Sequence, residues 1–314
     1  MRQEIKKKKK RRFKIIIYIL LLMLLAVLGY GYYLFSSVSN TAEQMHEPLE
    51  REKSEKRVED VSIDKKQPVS FLLMGVDERE GDVGRTDTLI ITTVNPDTNK
   101  MTMFNIQRDT YTTIVGKGIK DKINHAYVYG GTEMTINTVE NFLDVPIDYY
   151  IKVNMEALSD IVDAVGGITV DNPLQWIDDR YYKPGYVYQK GIIHLDGPQT
   201  LGYVRMRYQD PRGDFGRNER QRQVLSAIID KGANITSVTK IDDILNVLGS
   251  NIKTNLTFDE MMGLQSKYSD ARHNIEQFEI KSTGTTINGG SYQLVSEEER
   301  NAVSQKVKQE LEIK

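Results

Sequence analysis

The chain has 314 residues, no cysteine and a formal net charge of −2 at pH 7. Without cysteine it has no disulfides and no thiolate metal sites. The first fourteen residues hold nine of the 42 basic residues and one of the 44 acidic ones, so the rest of the chain has a net charge of −10. This balance argues against nucleic acid as a partner, because general nucleic-acid binding needs a broad basic surface.

An uncharged stretch follows the basic N-terminus. Residues 15–35 contain no charged side chain, and about 20 apolar residues in a helix span the hydrocarbon core of a bilayer. We therefore expect a cytoplasmic basic tail at 1–14 and a transmembrane helix at 15–35, with the remainder outside the membrane. A cleaved signal peptide is the alternative, although its apolar region is usually shorter, roughly 7–15 residues. The charged residues that follow predict a solvated juxtamembrane linker or a short helix at 36–67.

Alternating strand and helix patterns occupy residues 68–314, which we expect to form one extracytoplasmic α/β domain. Short β-rich runs bounded by turn residues predict strands at 69–77, 87–95, 101–109, 147–154, 168–170 and 275–281. Amphipathic periodicity with helix stop signals predicts helices at 131–143, 155–167, 197–206, 217–232, 239–249, 257–270 and 296–312. Strands that alternate with helices predict a sheet covered by helices on both faces.

Acidic and basic side chains recur where the early strands end or begin. Asp77 follows the first strand, Arg85 and Asp87 precede or open the second, and Arg108 and Asp109 end the third. In α/β sheets, ligands bind outside the carboxyl ends of strands. Two carboxylates together with phosphate oxygens are a usual set of Mg²⁺ ligands. The pattern therefore indicates a metal and phosphate site, although a single aspartate after a strand is more often a turn residue.

Residues 205–222, "RMRYQDPRGDFGRNERQR", contain six arginines and no lysine. A helix is predicted to open at Gly216, and its apolar stripe also contains Arg217 and Gln221. A buried arginine costs several kcal/mol unless its charge is compensated. At a helix N-terminus such an arginine can reach a cleft, where the helix dipole also favours an anion. We interpret this helix start as an anion site.

Arginine suits such a site because its planar fork holds two phosphate oxygens at once. Arg205 and Arg207 diverge on a helix but can reach the same ligand where the helix ends. For the remaining three arginines, surface pairing with nearby acids is an equally good interpretation; these are Arg212, Arg220 and Arg222. Several converging arginines indicate a ligand group such as pyrophosphate.

Other catalytic patterns are absent from the sequence. The histidines lack metal-binding spacing and no H-E-x-x-H occurs. There is no G-x-S-x-G elbow and no phosphate-binding P-loop. We expect His125 to be a loop or core residue rather than a catalytic base.

Taken together and in this order, the motifs resemble the LytR–CpsA–Psr proteins of the Gram-positive cell envelope. The likeness is greatest to the branch that handles wall teichoic acid. It covers residues 69–295 and rests on "FLLMGVDER", "GRTDTLIITTVNP", "QRDTY", "KINHAYVYGG", "VGGITVD", "HLDGPQTLGYVRMRYQDPRGDFGRNERQRQV" and "INGGSYQLV".

The resemblance implies an α-β-α sandwich with a central mixed sheet and a hydrophobic tunnel for a polyprenyl chain. It also implies a membrane-anchored phosphotransferase that works outside the cell membrane. Such enzymes move an anionic glycopolymer from undecaprenyl pyrophosphate to peptidoglycan, forming a phosphodiester to a muramic acid C6 hydroxyl. The implied partners are thus the lipid-linked glycopolymer, peptidoglycan and the lipid bilayer.

The resemblance also assigns roles to residues. Asp77 and Asp87 would hold Mg²⁺, with Mn²⁺ as an alternative. The pyrophosphate would be bound by Arg85, Arg108, Arg205, Arg207, Arg217 and Gln221. Apart from the resemblance, the sequence leaves two candidates for the group that takes the proton of the acceptor hydroxyl, Asp87 first and Asp109 second. Gln107 departs from the proline expected in many members, which affects the local turn more than Arg108.

Two other functions remain open from the sequence. A pyrophosphate hydrolase would use water in place of the sugar hydroxyl and would need the same residues. A non-catalytic receptor for envelope polymers would bind the donor without turnover.

Overall fold

The computed structural model describes residues 2–78, 81, 83–155, 157–233 and 241–313. Its helices are α1 (Arg2–Met45), α2 (His125–Leu143), α3 (Ala157–Ala164), α4 (Gly197–Arg205), α5 (Asp214–Ala233), α6 (Ile241–Asn251), α7 (Phe258–Lys267) and α8 (Glu297–Glu310), with a 3₁₀ turn at Ser269–His273. Its strands are β1 (Val69–Val76), β2 (Thr86–Asn95), β3 (Lys100–Asn105), β4 (Tyr111–Ile114), β5 (Ile119–Lys122), β6 (Tyr149–Asn154), β7 (Ile168–Asn172), β8 (Trp176–Ile177), β9 (Val187–Tyr188), β10 (Gly191–Leu195), β11 (Ile252–Thr254), β12 (Ile275–Glu279), β13 (Thr283–Ile287) and β14 (Gly290–Leu294).

Six strands form a central mixed sheet in the order β11-β6-β1-β2-β3-β12. The pairs β1–β6 and β3–β12 are parallel, whereas β2 is antiparallel to both of its neighbours and β11 is antiparallel to β6. Consequently β1, β3, β6 and β12 run in the same direction. Their carboxyl ends lie at one edge of the sheet, where β2 begins, and this edge carries the candidate site.

Helices cover both faces of the sheet, so the predicted α-β-α sandwich is confirmed. Because successive strand residues point to opposite faces, β1 contributes Leu72 and Met74 to a core shared with α2 and α8. Its alternate residues Val69 and Phe71 belong to a second core, shared with α7 and the 3₁₀ turn. The side chains of Leu225 and Ile229 on α5 pack against this second core.

Several helix boundaries differ from the predicted ones. Helix α5 begins at Asp214 rather than at Gly216, and a Cβ at Gly216 would lie 1.8 Å from the Asp210 carboxylate. Glycine therefore lies inside the first turn because the Asp210 side chain occupies the space beside it. Helix α2 begins at His125 rather than at residue 131. The backbone is non-helical at Gly130 and Gly131, so the residues before these glycines do not continue the helical periodicity of the residues after them. The predicted start at 155 lies in a turn before α3, whereas the predicted start at 239 lies outside the described residues, as do residues 156 and 240.

The N-terminal helix contains one segment, Lys14–Met45, that is long and apolar enough to cross a membrane. Helix α1 continues past residue 35, and near its end Thr41 and Ala42 are buried against the domain. Of the two expectations for 36–67, a solvated linker or a short helix, residues 36–45 are helical as part of α1, and residues beyond them contact the domain. Arg57 donates to both oxygens of Asp148 at 2.9 and 2.6 Å, and both side chains are less than a tenth exposed.

Candidate active site

The sequence elements that carry the predicted site meet at one edge of the sheet. Asp77 follows the carboxyl end of β1 and Asp87 lies at the start of the antiparallel β2. Arg108 and Asp109 follow β3, whose carboxyl end lies at the same edge. The C-terminus of α4, at Arg205, and the first turn of α5 complete the site. Residues more than a hundred positions apart are thereby brought together.

An arginine-rich cavity of about 280 Å³ lies at this edge, and it is termed the arginine cavity. It is lined by Asp77, Asp87, Arg108, Met155, Tyr181, Val204, Arg205, Arg207, Tyr208, Arg217 and Gln221. Five of the six predicted pyrophosphate-binding residues therefore share one cavity with both predicted metal ligands. Arg85 is the exception and lies outside this cavity.

Arg108 connects two carboxylates at the base of the site. Its Nη1 donates to Oδ1 of Asp87 at 2.8 Å, and its Nε lies 3.8 Å from Oδ2 of Asp109. Burial lowers the pKa of Arg108, but the charges of Asp87 and Asp109 outweigh burial and raise it above its ordinary value. The guanidinium is thus held firmly in its charged form beside the two acids.

Asp214, in the first turn of α5, lies between two arginines. Its Oδ1 is 3.1 Å from Nε of Arg207 and 3.1 Å from Nη2 of Arg217, yet it accepts no hydrogen bond. Arg217 is 8% exposed and its buried Nε also has no hydrogen-bond partner. Burial lowers the pKa of Arg217, although the charge of Asp214 opposes this effect. Because unpaired buried donors are costly, an anion in the cavity would stabilise this arrangement.

A second compartment, termed the polar cavity, lies on the other side of Arg108. It has a volume of about 290 Å³. It shares Asp77, Asp87 and Arg108 with the arginine cavity. Its other lining residues are Gly84, Arg85, Asp109, Lys122, Asn124 and His125. The predicted residues Arg85 and Asp109 therefore contact a different compartment from the arginines of α4 and α5.

An apolar channel, made of two adjoining cavities, continues from the arginine cavity between the sheet and α5. The first cavity, of about 210 Å³, shares Met155, Val204 and Gln221 with the arginine cavity. The second, of about 410 Å³, shares Leu225 with the first and extends along α7. Aliphatic side chains line most of both. A molecule with an anionic head and a long apolar tail fits across the junction at Gln221.

Asp77 and Asp87 are the residues here that could hold a divalent metal. Each of these aspartates lines the arginine cavity and also the polar cavity. Carboxylate oxygens are the ligands that Mg²⁺ prefers. Within the described ranges, no group of three histidine, aspartate or glutamate side chains is close enough to hold a metal. The pair therefore fits a metal that shares its coordination with substrate phosphates, because Mg²⁺ commonly takes one or two carboxylates plus phosphate oxygens.

Comparison with known proteins gives the family. The model of the LytR_cpsA_psr family matches residues 32–309. This chain belongs to the LytR–CpsA–Psr family. It is 54% identical over 284 residues, 90% of each chain, to the polyisoprenyl-teichoic acid–peptidoglycan teichoic acid transferase TagU of Bacillus subtilis. The crystal structure of B. subtilis TagU is 51% identical, with a TM-score of 0.64 over 79% of this chain and 99% of that one. A structure of TagT bound to LI-WTA is 31% identical, with a TM-score of 0.72, and the match covers 85% of this chain and 100% of that one.

In this LytR–CpsA–Psr domain, three of the six clustered arginines do not line the arginine cavity. Arg212 pairs with Glu219 at the surface, as one interpretation of the sequence expected. The surface interpretation is wrong for Arg220 and Arg222, whose side chains are 1% and 4% exposed. Arg220 is enclosed by backbone carbonyls and Asp210, and Arg222 donates to side chains of β3 and β12. Their charges are compensated inside the domain, which helical periodicity could not show.

Sequence reasoning missed several lining residues of the LytR–CpsA–Psr site. Tyr181 and Tyr208 line the arginine cavity, and Lys122, Asn124 and His125 line the polar cavity. The expectation that His125 is a loop or core residue is wrong, since it begins α2 with a partly exposed side chain. The signal that could have found it is its position in "KINHAYVYGG", one of the segments that carry the family resemblance.

Proposed function

We propose that this protein is a phosphotransferase that moves wall teichoic acid from undecaprenyl pyrophosphate to peptidoglycan, forming a phosphodiester to a muramic acid C6 hydroxyl. The observation that carries this proposal is the direct junction between the arginine cavity and the apolar channel. The names of its relatives support it, because TagU is called a teichoic acid transferase and TagT binds LI-WTA, WTA denoting wall teichoic acid.

The donor would lie across this junction. Its pyrophosphate would be bound by Arg108, Arg205, Arg207 and Arg217, whose forks match phosphate oxygens. Gln221 would mark the boundary, because it lines both compartments. The isoprenoid chain of the donor would occupy the apolar channel, where burial of each CH₂ group contributes about 0.8 kcal/mol. Arg85 lines the polar cavity and would contact the phosphate that carries the glycopolymer.

Phosphoryl transfer requires mainly positioning and charge neutralisation from a protein. Asp77 and Asp87 would hold Mg²⁺, or Mn²⁺, which supplies further neutralisation of phosphate charge when bound. Arg108 would contact the transferred phosphate, because it lines both polar compartments. Asp109 would position Arg108 and Lys122, since it lies 3.8 Å from the first and accepts a hydrogen bond of 2.6 Å from the second.

The proposed location is the outer face of the cell membrane, with α1 as a single type II anchor. Nearly all side chains of residues 15–35 are exposed along the helix surface, and the basic residues precede them. A basic flank before the first span favours a cytoplasmic N-terminus. Such an anchor keeps the domain at the bilayer, where a lipid-linked donor is confined.

The test uses the full-length protein in liposomes, with glycopolymer-labelled undecaprenyl pyrophosphate, uncrosslinked peptidoglycan and Mg²⁺. We expect label in peptidoglycan together with release of polyprenyl phosphate. Release of lipid phosphate without labelled peptidoglycan would show a hydrolase instead. Tight donor binding without turnover would show a receptor.

Removal of the metal is expected to lower transfer at least about a hundredfold, since a metal contributes several kcal/mol of charge stabilisation. Initial rates with EDTA, followed by titration with Mg²⁺, measure this effect. Asp77→Asn should raise the Mg²⁺ concentration for half-maximal rate about tenfold or more, because it removes a charged ligand. The matched control is Asp179→Asn, at an exposed carboxylate outside both polar compartments, which should titrate like the wild type. Full activity in EDTA would contradict the metal assignment.

Narrowing of the apolar channel is expected to discriminate between donors by chain length. Leu225→Trp adds bulk where the two apolar cavities adjoin, and overpacking costs typically 1–3 kcal/mol. The KM for an undecaprenyl donor should rise about tenfold or more, whereas a donor with two or three isoprene units should be unaffected. Met262→Trp, at an exposed position on α7, is the control. Equal KM changes for short and long donors would place the lipid chain elsewhere.

A further inference from the structure

We propose that the polar cavity receives the acceptor sugar and that His125, held by Asp121, takes the proton of its attacking hydroxyl. The inference rests on the proposed function and adds a catalytic residue to it. The polar cavity lies across Asp77, Asp87 and Arg108 from the arginine cavity, and these residues line both. A donor phosphate bound between the two compartments can be approached from the polar side, opposite the polyprenyl phosphate leaving group.

His125 has the contacts of an oriented base. Its Nδ1 lies 2.7 Å from Oδ2 of Asp121, which also accepts a hydrogen bond of 2.9 Å from Tyr129. Burial raises the pKa of Asp121, but its hydrogen bonds with His125 and the Lys122 amide outweigh burial, so the pKa lies below its ordinary value. An ionised Asp121 selects the tautomer with the proton on Nδ1. Nε2 is then a proton acceptor, and among the described residues it has no hydrogen-bond partner.

Asn124 supplies an independent sign that the polar cavity binds a ligand. Its side chain is 4% exposed and lines the cavity, yet its Oδ1 has no hydrogen-bond partner. Although Asn124 precedes α2, its side chain forms no capping hydrogen bond. Buried carbonyl oxygens without a partner are rare and costly. A sugar hydroxyl or acetamido N–H in the cavity would satisfy this oxygen.

The two aspartates favoured from the sequence are less suitable as proton acceptors. Oδ1 of Asp87 already accepts from Arg108, and the carboxylate is also proposed to hold the metal. Oδ1 of Asp109 accepts from Lys122 at 2.6 Å. A carboxylate that neutralises a neighbouring cation would lose that interaction on protonation. His125 can take a proton and at the same time strengthen its pair with Asp121.

In the proposed step one phosphorus–oxygen bond forms and one breaks. The acceptor hydroxyl oxygen forms a bond to the phosphorus that carries the glycopolymer, while the bond from this phosphorus to the bridging oxygen breaks. The electron pair stays on the bridging oxygen, and the lipid leaves as polyprenyl phosphate. The hydroxyl proton passes to Nε2 of His125 and afterwards to the released phosphate or to water.

Charged and titratable groups surround His125 on several elements. They are Asp77, Arg85, Asp87, Arg108, Asp109, Asp121, Lys122, Tyr129 and Tyr292. Since only neutral imidazole accepts a proton, the transfer rate should fall when the imidazole becomes protonated. The other groups are still present in a His125 variant. Any decrease in transfer rate that the wild type shows on acidification and the variant does not show is therefore due to His125.

The experiment compares His125→Gln with the full-length wild type in the liposome transfer reaction, across pH. We expect kcat to fall about a hundredfold or more, as general-base catalysis contributes 10²–10⁴. The acid limb of the pH profile should disappear, and the Kd for the undecaprenyl pyrophosphate donor should not change. The matched control is His273→Gln, an exposed histidine in the 3₁₀ turn, which should behave as the wild type.

Two further variants separate catalysis from structure. Asp121→Asn should lower kcat about tenfold or more with unchanged donor Kd, because it no longer orients the imidazole. Asn124→Ala should raise the KM for peptidoglycan about fivefold with little change in kcat. Wild-type kcat in His125→Gln, or parallel losses of kcat, donor binding and Tm, would overturn the inference and leave the proposed function standing. A wild type that binds donor but transfers nothing would overturn both.

Discussion

Replacing Arg108 by alanine is expected to lower glycopolymer transfer about a thousandfold, because an arginine on a transferring phosphoryl group contributes about 10³–10⁵ in rate. Arg108 lines both the arginine cavity and the polar cavity, and its Nη1 lies 2.8 Å from Asp87. Its loss removes a positive charge beside the donor phosphate, and it removes the arginine with which Asp87 pairs. The measurement is the initial rate of peptidoglycan labelling at saturating donor and acceptor.

Two substitutions test the reason for this loss. Arg108→Lys keeps the charge without the planar fork, so its rate should lie between those of the wild type and the alanine variant. Arg212→Ala removes an exposed arginine of the same cluster that pairs with Glu219 outside the cavity. It should transfer at the wild-type rate. A fully active Arg108→Ala variant would remove this arginine from the proposed mechanism.

Replacing Arg220 by alanine is expected to destabilise the domain by about 3–5 kcal/mol, the usual cost of removing one partner of a buried ion pair. Arg220 donates to Oδ2 of Asp210 at 2.6 Å, and to the carbonyls of Tyr203 and Met206 at 3.2 and 2.5 Å. Its guanidinium also lies 5.5 Å from the ring centroid of Trp176. The substitution leaves three acceptors unsatisfied, and chemical denaturation measures the resulting loss of unfolding free energy.

The pH dependence provides a check on the same ion pair. Burial raises the pKa of Asp210, but hydrogen bonds from Arg220 and the Arg212 amide outweigh burial and lower it below its ordinary value. The stabilisation by Asp210 is therefore present near neutral pH and is lost as the pH falls through its lowered pKa. Arg220→Ala should weaken this acid dependence, whereas Arg212→Ala should change stability by no more than about 0.5 kcal/mol. An Arg220→Ala variant as stable as the wild type would contradict the structural role.

Much of the site could be predicted because strand ends and helix stripes are local properties of a sequence. Asp77 follows a buried strand, and its position at the sheet edge is confirmed. Arg217 and Gln221 lie on the apolar stripe of α5, and both are buried and line the arginine cavity, with Gln221 at its junction with the apolar channel. Strands β8 and β9 were not predicted, because each has two residues. A run of two residues is too short to show the alternation of apolar and polar side chains that predicts a strand.

The sequence by itself determined the α/β class, the apolar N-terminal helix and the inward face of α5 on which Arg217 lies, since periodicity follows from backbone geometry. Only the tertiary structure decided which of the clustered arginines bind other parts of the protein and which line the arginine cavity. Arg57 likewise donates to Asp148, 91 positions away, so that part of the segment at 36–67 packs on the domain. The physical reason is that a buried charge is compensated by neighbours in space, and these neighbours are set by sheet order and helix packing rather than by sequence distance.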